Sequence, residues 1–145
     1  MDTNGLDTQT IAQRLVVALR TSTGEAAPVL VELGYSADDP YAVRLSFHPD
    51  DSPVCWDFGR DLLSGGLQEP TGDGDVHVWS CLDDDGVAVL VVELCSPYGD
   101  AMVEIQLQDA VEFVARMHSV VRPGEESELV DLDAAITAIF AAENV

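Results

Sequence analysis

DPYAVRLSFHPDDSPVCWDFGRDLLSGGL, residues 39–67, decides the fold class. From Tyr41 to His48 the side chains alternate. Tyr41, Val43, Leu45 and Phe47 point one way, and Ala42, Arg44, Ser46 and His48 the other. A period of two is that of a strand with one buried face. HPDDSP is dense in turn formers. Val54, Trp56 and Phe58 then alternate with Cys55 and Asp57, so the two runs read as an antiparallel hairpin. Its expected core is Tyr41, Val43, Phe47, Trp56 and Phe58. Cys55, mid-strand beside Trp56, is expected in an inert apolar setting. Arg60 to Gly65 reads as a short helix anchored by Leu62, Leu63 and Leu67, with Asp61 at the positive end of its dipole. Arg60 is expected to pair with an acid.

Upstream, residues 1–10 are polar and expected to be loose. Leu15, Val16, Val17 and Leu19 mark a strand over Ile11–Arg20, TSTGEAAP a turn-rich stretch, and Val29, Val31, Leu33 and Tyr35 a second strand with one wetter face. Downstream, PTGDGD reads as a loop and Val76–Leu82 as a strand. DDDG reads as a hairpin turn. Val87–Cys95 is a near-continuous apolar strand that should be buried on both faces, and Val103, Ile105 and Leu107 mark one more strand. The period then changes. Ala110, Phe113, Val114, Met117 and Val121 fall at helical spacing, and Pro123 and Gly124 end that helix. Asp131 or Asp133 should cap a last helix carrying Leu132, Ile136, Ile139 and Phe140. The order is about seven mainly antiparallel strands, as an open sheet or part-barrel, then two C-terminal helices: a single α+β domain over residues 1–145.

Composition limits the function. The chain has 145 residues, 47% of them hydrophobic, enough for a core of its own. Acidic residues number 27 against six basic ones, all arginine, for a net charge of −21. That field repels nucleic-acid phosphates and anionic lipid. The arginines, at 14, 20, 44, 60, 116 and 122, are scattered. The N-terminus lacks the basic and apolar regions of a signal peptide, and the longest apolar run, Val87–Val92, is too short to cross a bilayer. A cytoplasmic location with reduced Cys55, Cys81 and Cys95 is expected.

No catalytic set emerges. GxSxG and the phosphate-loop ending are absent, and Ser64 has no histidine nearby in sequence. GDGD and DDDG do not fit a calcium loop, so Asp73, Asp75, Asp83, Asp84 and Asp85 read as turn residues. His77 and Cys81 share a strand face with Trp79 and could converge with Cys55, but zinc sites show tighter spacings. Neither catalytic, cofactor nor metal residues are therefore assigned. Trp79 is read as packed inside or as an exposed platform.

DPYAV…FH, then W-D-F-G-R-D-L-L-S-G-G-L, then P-T-G-D-G-D-V, resembles the SsgA/SsgB-like proteins of actinobacterial sporulation and septum formation. Arg14–Val17 upstream, and Arg122–Glu126 and Asp131–Asp133 downstream, extend the resemblance. Gly59 stands where the family pattern has Ala, Trp79-Ser80 lacks an expected Pro, and DDDG is more acidic than the pattern. The resemblance implies a fold similar to the whirly single-stranded-DNA-binding proteins, a homotrimer and no catalytic residues. It also implies a non-enzymatic adaptor at division septa that recruits the tubulin-like division GTPase, together with a sister SsgA-like protein. The whirly likeness raises single-stranded nucleic-acid binding as the alternative.

Overall fold

A computed structural model of the chain describes residues 10–21, 24–128 and 139. Among the described residues there are eight strands: β1 (Thr10–Thr21), β2 (Ala26–Ser36), β3 (Asp39–Phe47), β4 (Val54–Gly59), β5 (Thr71–Asp73), β6 (Val76–Leu82), β7 (Ala88–Ser96) and β8 (Gly99–Gln106). They are joined by helices α1 (Arg60–Gly66) and α2 (Leu107–Val120), with a 3-10 turn at Glu126–Glu128. The strands make one antiparallel sheet in the order β4-β3-β2-β1-β8-β7-β6-β5. The expected α+β order holds.

The hairpin pairs as its alternation requires, Val43 with Phe58, Leu45 with Trp56 and Phe47 with Val54. Val43, Leu45, Phe47 and Phe58 are buried, and Trp56 packs half-buried against them. Tyr41 departs from this pattern and is 49% exposed. The β2–β3 register slips between Tyr35 and Ser36. Beyond the slip Pro40 is the buried residue, and its carbonyl accepts the Tyr35 hydroxyl at 2.9 Å. A local register irregularity thus ends the parity that alternation alone would carry on to Tyr41. Cys55 is also corrected. It is exposed on the outer face, its Sγ 3.3 Å from Ser46 Oγ, because strand parity places it with Asp57 and opposite to Trp56.

PTGDGD is more than a loop, since Thr71–Asp73 pairs with β6 as the eighth strand. Gly74, at φ 64°, makes the sharp turn into β6. The DDDG turn is as expected: Asp83 Oδ1 accepts the backbone N–H groups of Asp85 and Val87, both at 2.9 Å. On β7, Val89, Leu90, Val91 and Val92 are all buried, so both faces are covered as the apolar run requires. Val91 lies opposite Trp79 of β6 and Glu104 of β8. Trp79 is therefore on the outer face, half-buried, and not in the inner core. Residues 1–9 and the last helix expected after Asp131 lie outside the described residues, apart from Ile139; Thr10 is already part of β1.

Inner side chains of all but the shortest strand converge on the helices. Ala110, Phe113, Val114, Met117 and Val121 are buried as their spacing requires. α2 packs against the central strands β1, β2, β7 and β8. α1 touches β3 and β4 at one end of the sheet and β5 and β6 at the other. A flat sheet could not bring both ends to one short helix, so the sheet rolls into a half-barrel that α1 plugs. The close approach depends on glycine. A Cβ on Gly66 would meet Val78 Cγ1 at 2.3 Å, and one on Gly65 would meet Thr71 Cγ2 at 2.8 Å.

Candidate protein-interaction site

Among the described residues, buried charge is confined to one hub. Arg60, the first residue of α1, is only 1% exposed. Its Nε donates to Glu126 Oε2 at 2.9 Å, and Nη2 approaches the same oxygen at 2.8 Å. Nη1 donates to Tyr35 Oη at 3.0 Å and to the Val121 carbonyl at 2.8 Å, and Nη2 donates to the Arg122 carbonyl at 3.0 Å. The guanidinium also lies 5.3 Å from the centre of the Tyr35 ring. Four separate stretches of chain thus meet on one side chain: β2, α1, the end of α2 and the 3-10 turn. The expected acid partner exists, but nothing in sequence singled out Glu126, which lies 66 residues away. These partners all belong to the chain itself, so the hub acts as a clamp.

Glu126 is held below the ordinary carboxylate range by its own backbone N–H above all. The Arg60 guanidinium pulls the same way, and burial opposes both. Burial, and then Arg60, push His118 down. A depressed carboxylate contributes stability that is fully present above its unfolded pKa and lost as pH falls through the folded value. Glu126→Gln should therefore be less stable than the parent at neutral pH, and the gap should shrink below about pH 4.3. Urea unfolding at a series of pH values checks this; a gap independent of pH would refute it.

The outer face carries ion pairs. Arg14 bonds Glu32 at 3.1 Å and Asp50 at 2.8 Å. Arg20 bonds Glu104 at 2.6 Å and Asp84 at 2.9 Å. Arg44 holds Asp57 through two bonds, at 2.7 and 2.9 Å. Arg116 donates to Gln13 Oε1, and Arg122 lies 3.9 Å from Glu125. All six arginines are engaged by acids, an amide or carbonyls of the chain itself, which weighs against a phosphate-binding track. The convergence of His77, Cys81 and Cys55 does not occur. Cys55 sits on β4 and the other two on β6, at opposite parts of the sheet. Ser64 Oγ bonds back to the Arg60 carbonyl at 3.3 Å, as a helix serine does.

The surface suited to a partner is apolar. Between the β3–β4 and β7–β8 hairpins lies a cleft of about 310 Å³, lined by Leu19, Phe47, Val54, Trp56, Leu94 and Ala101 among others. Val54 is 56% exposed beside it, and Tyr98, in the turn between Ser96 and Gly99, is 98% exposed. Exposed large aromatic and aliphatic side chains are the anchors that protein interfaces use. Alternation hinted at Val54 and Trp56, while the meeting of the two hairpins comes from the roll of the sheet. Among the described residues no helix is long and apolar enough to cross a membrane.

Comparison with known proteins agrees with this geometry. Residues 29–126 match the family model described as Streptomyces sporulation and cell division protein, SsgA. The sporulation-specific cell division protein SsgB of Kineococcus radiotolerans is 43% identical over 85% of this chain and 75% of its own. SsgB of Streptomyces coelicolor is 38% identical over 91% of this chain and 96% of its own. A solved SsgB structure, from work relating its mutations to longitudinal cell division during sporulation of Streptomyces coelicolor, is similar with a TM-score of 0.75. It shares 38% identity and covers 83% of this chain and 94% of that one. An SsgA-like protein of Thermobifida fusca gives a TM-score of 0.77 at 37% identity, over 89% and 94% of the two chains. From its motifs, its half-barrel and its relatives alike, the chain belongs to the SsgA family of sporulation and cell division proteins.

Proposed function

We propose that this chain is a non-enzymatic adaptor in sporulation-linked cell division, marking the septum site and recruiting the tubulin-like division GTPase by direct contact. The observation that carries this reading is the apolar cleft with exposed Val54 in its lining, and the exposed Tyr98 in the Ser96–Gly99 turn whose ends line it, on a chain whose relatives are cell division proteins. With a net charge of −21, attraction to another acidic protein has to come from such apolar and hydrogen-bonded patches. The same reading has the chain work as a homotrimer, with a sister SsgA-like protein, in the cytoplasm at division septa.

Co-sedimentation with polymers of the division GTPase tests it. The parent protein should pellet with the polymer, and Val54→Ser with Tyr98→Ser should weaken the association by about tenfold or more, since buried anchors carry most interface energy. Both side chains are exposed, so the variant should unfold at the parent's temperature. Absence of any shift at low salt would sink the adaptor reading. A tight, salt-sensitive gel shift with single-stranded DNA would favour the nucleic-acid alternative.

A further inference from the structure

We propose that His77, Glu93 and Cys95 form a binding site for a borderline-soft divalent cation, zinc first among them, on the outer face of the sheet. The three offer a nitrogen, a carboxylate oxygen and a sulfur, all within 4.8 Å of one another. That donor set suits zinc and cobalt better than calcium or magnesium, which take oxygen alone. His77 of β6 lies directly opposite Glu93 of β7, and Cys95 follows Glu93 by two residues on the same strand. All three therefore face the same way.

The histidine is held in place for the task. Gly72 pairs with His77 across the β5–β6 hairpin, and a Cβ there would meet His77 Cδ2 at 2.3 Å and Nε2 at 3.1 Å. The ring thus rests its Cδ2–Nε2 edge on bare backbone and turns Nδ1 toward Glu93. Nδ1 is buried and has no hydrogen-bond partner, although Glu93 Oε1 lies 3.5 Å away. An unpartnered buried ring nitrogen beside a carboxylate that does not bond it calls for a third group between them. Zinc–nitrogen and zinc–oxygen bonds of tetrahedral geometry put their ligand atoms roughly 3.3–3.5 Å apart, which matches that gap.

Further acidic residues lie next to Cys95. Asp100 pairs with Cys95 across β7–β8. Asp75 lies close as well, its carbonyl accepting the Cys95 N–H at 2.8 Å. Glu93 and Asp100 bring negative charge with no arginine against them, unlike the paired acids elsewhere on this face. His77 and Glu93 keep 45% and 31% of their side chains exposed, which leaves an entry path. On binding, the Cys95 thiol gives its proton to solvent and ligates as thiolate.

Titration of the full chain, made without a histidine tag, with Co²⁺ and then Zn²⁺ tests the site. A thiolate-to-cobalt charge-transfer band should grow to about one equivalent and vanish when zinc is added, as a filled site of this kind requires. Cys95→Ser should abolish the band, and His77→Ala should weaken cobalt binding at least tenfold. Cys55→Ser and Cys81→Ser should leave both unchanged. Circular dichroism reports folding of each variant, and zinc titration of Cys95→Ser by calorimetry separates lost ligation from a lost chromophore. No band with the parent protein, or a band that survives Cys95→Ser, overturns the proposal.

Discussion

Arg60→Ala should lower stability by about 3–5 kcal/mol, the usual cost of removing one partner from a buried ion pair. For a chain of this size that corresponds to a fall in Tm of roughly 10 °C. The loss is larger than a surface ion pair could give, because four partners are stranded together. Glu126 keeps a buried charge, Tyr35 loses a donor, and the Val121 and Arg122 carbonyls lose theirs. Arg60→Lys should recover only part of it, since one ammonium cannot reproduce the guanidinium fork. Replacing Arg60 and Glu126 together by Met should cost less than the sum of the single changes, because neither charge is then left alone. Chemical denaturation of the four proteins checks the cycle. A loss below about 1 kcal/mol for Arg60→Ala would show that water replaces the guanidinium at no penalty, and the clamp would be discarded. The Arg44–Asp57 pair is the internal comparison. It has similar distances, but both side chains are about half exposed, so its loss should be near the surface range of 0–1 kcal/mol.

The second large effect is expected at Gly66, with a sign opposite to the usual one. Gly→Ala in a helix ordinarily stabilises by about 0.5–1 kcal/mol. Here the new methyl would lie 2.3 Å from Val78 Cγ1, 2.9 Å from its Cβ and 3.1 Å from its carbonyl carbon. The side chain could rotate, but the backbone carbon cannot, so α1 must lift away from β6. Overpacking of this kind costs about 1–3 kcal/mol. Val78→Ala alone opens a cavity at a fully buried site, yet combined with Gly66→Ala it should cost less than the two together. Gly59→Ala is the control. A Cβ there meets only Leu62 Cγ at 3.9 Å, and φ is −60°, so the change should be neutral or stabilising by about 0.4–1 kcal/mol. Thermal unfolding of the four variants distinguishes the cases. A stabilised Gly66→Ala would mean that α1 does not need its close approach to β6.

Local pattern made most of the elements legible. Strict alternation gave β3 and β4, helical spacing gave the buried face of α2, and glycine and aspartate marked the turns. β5 was missed because three residues, two of them Gly and Asp, carry no alternation; its pairing with β6 is what makes it a strand. Tyr41 was misplaced for a related reason. Alternation continues through a register slip that only the partner strand reveals. The polar sites were the least legible. Arg60 needed an acid, but the chain has 27, and only the folded structure selects Glu126. His77 was noticed beside Cys81, its neighbour in sequence, whereas the structure sets it against Glu93 and Cys95 of the next strand.

By itself the sequence determined what short-range physics controls: which segments are strands or helices, which of their faces are apolar, where turns fall, and which family's motifs are present. Tertiary structure alone decided the roll of the sheet around α1, the meeting of Arg60 with Glu126, the cleft that brings Val54 and Trp56 to the Ser96–Gly99 turn, and the His77–Glu93–Cys95 cluster. Periodicity is a property of neighbours a few residues apart, fixed by strand and helix geometry. Convergence depends on cross-strand register and on the closure of a curved sheet, and both are set by packing between residues tens of positions apart.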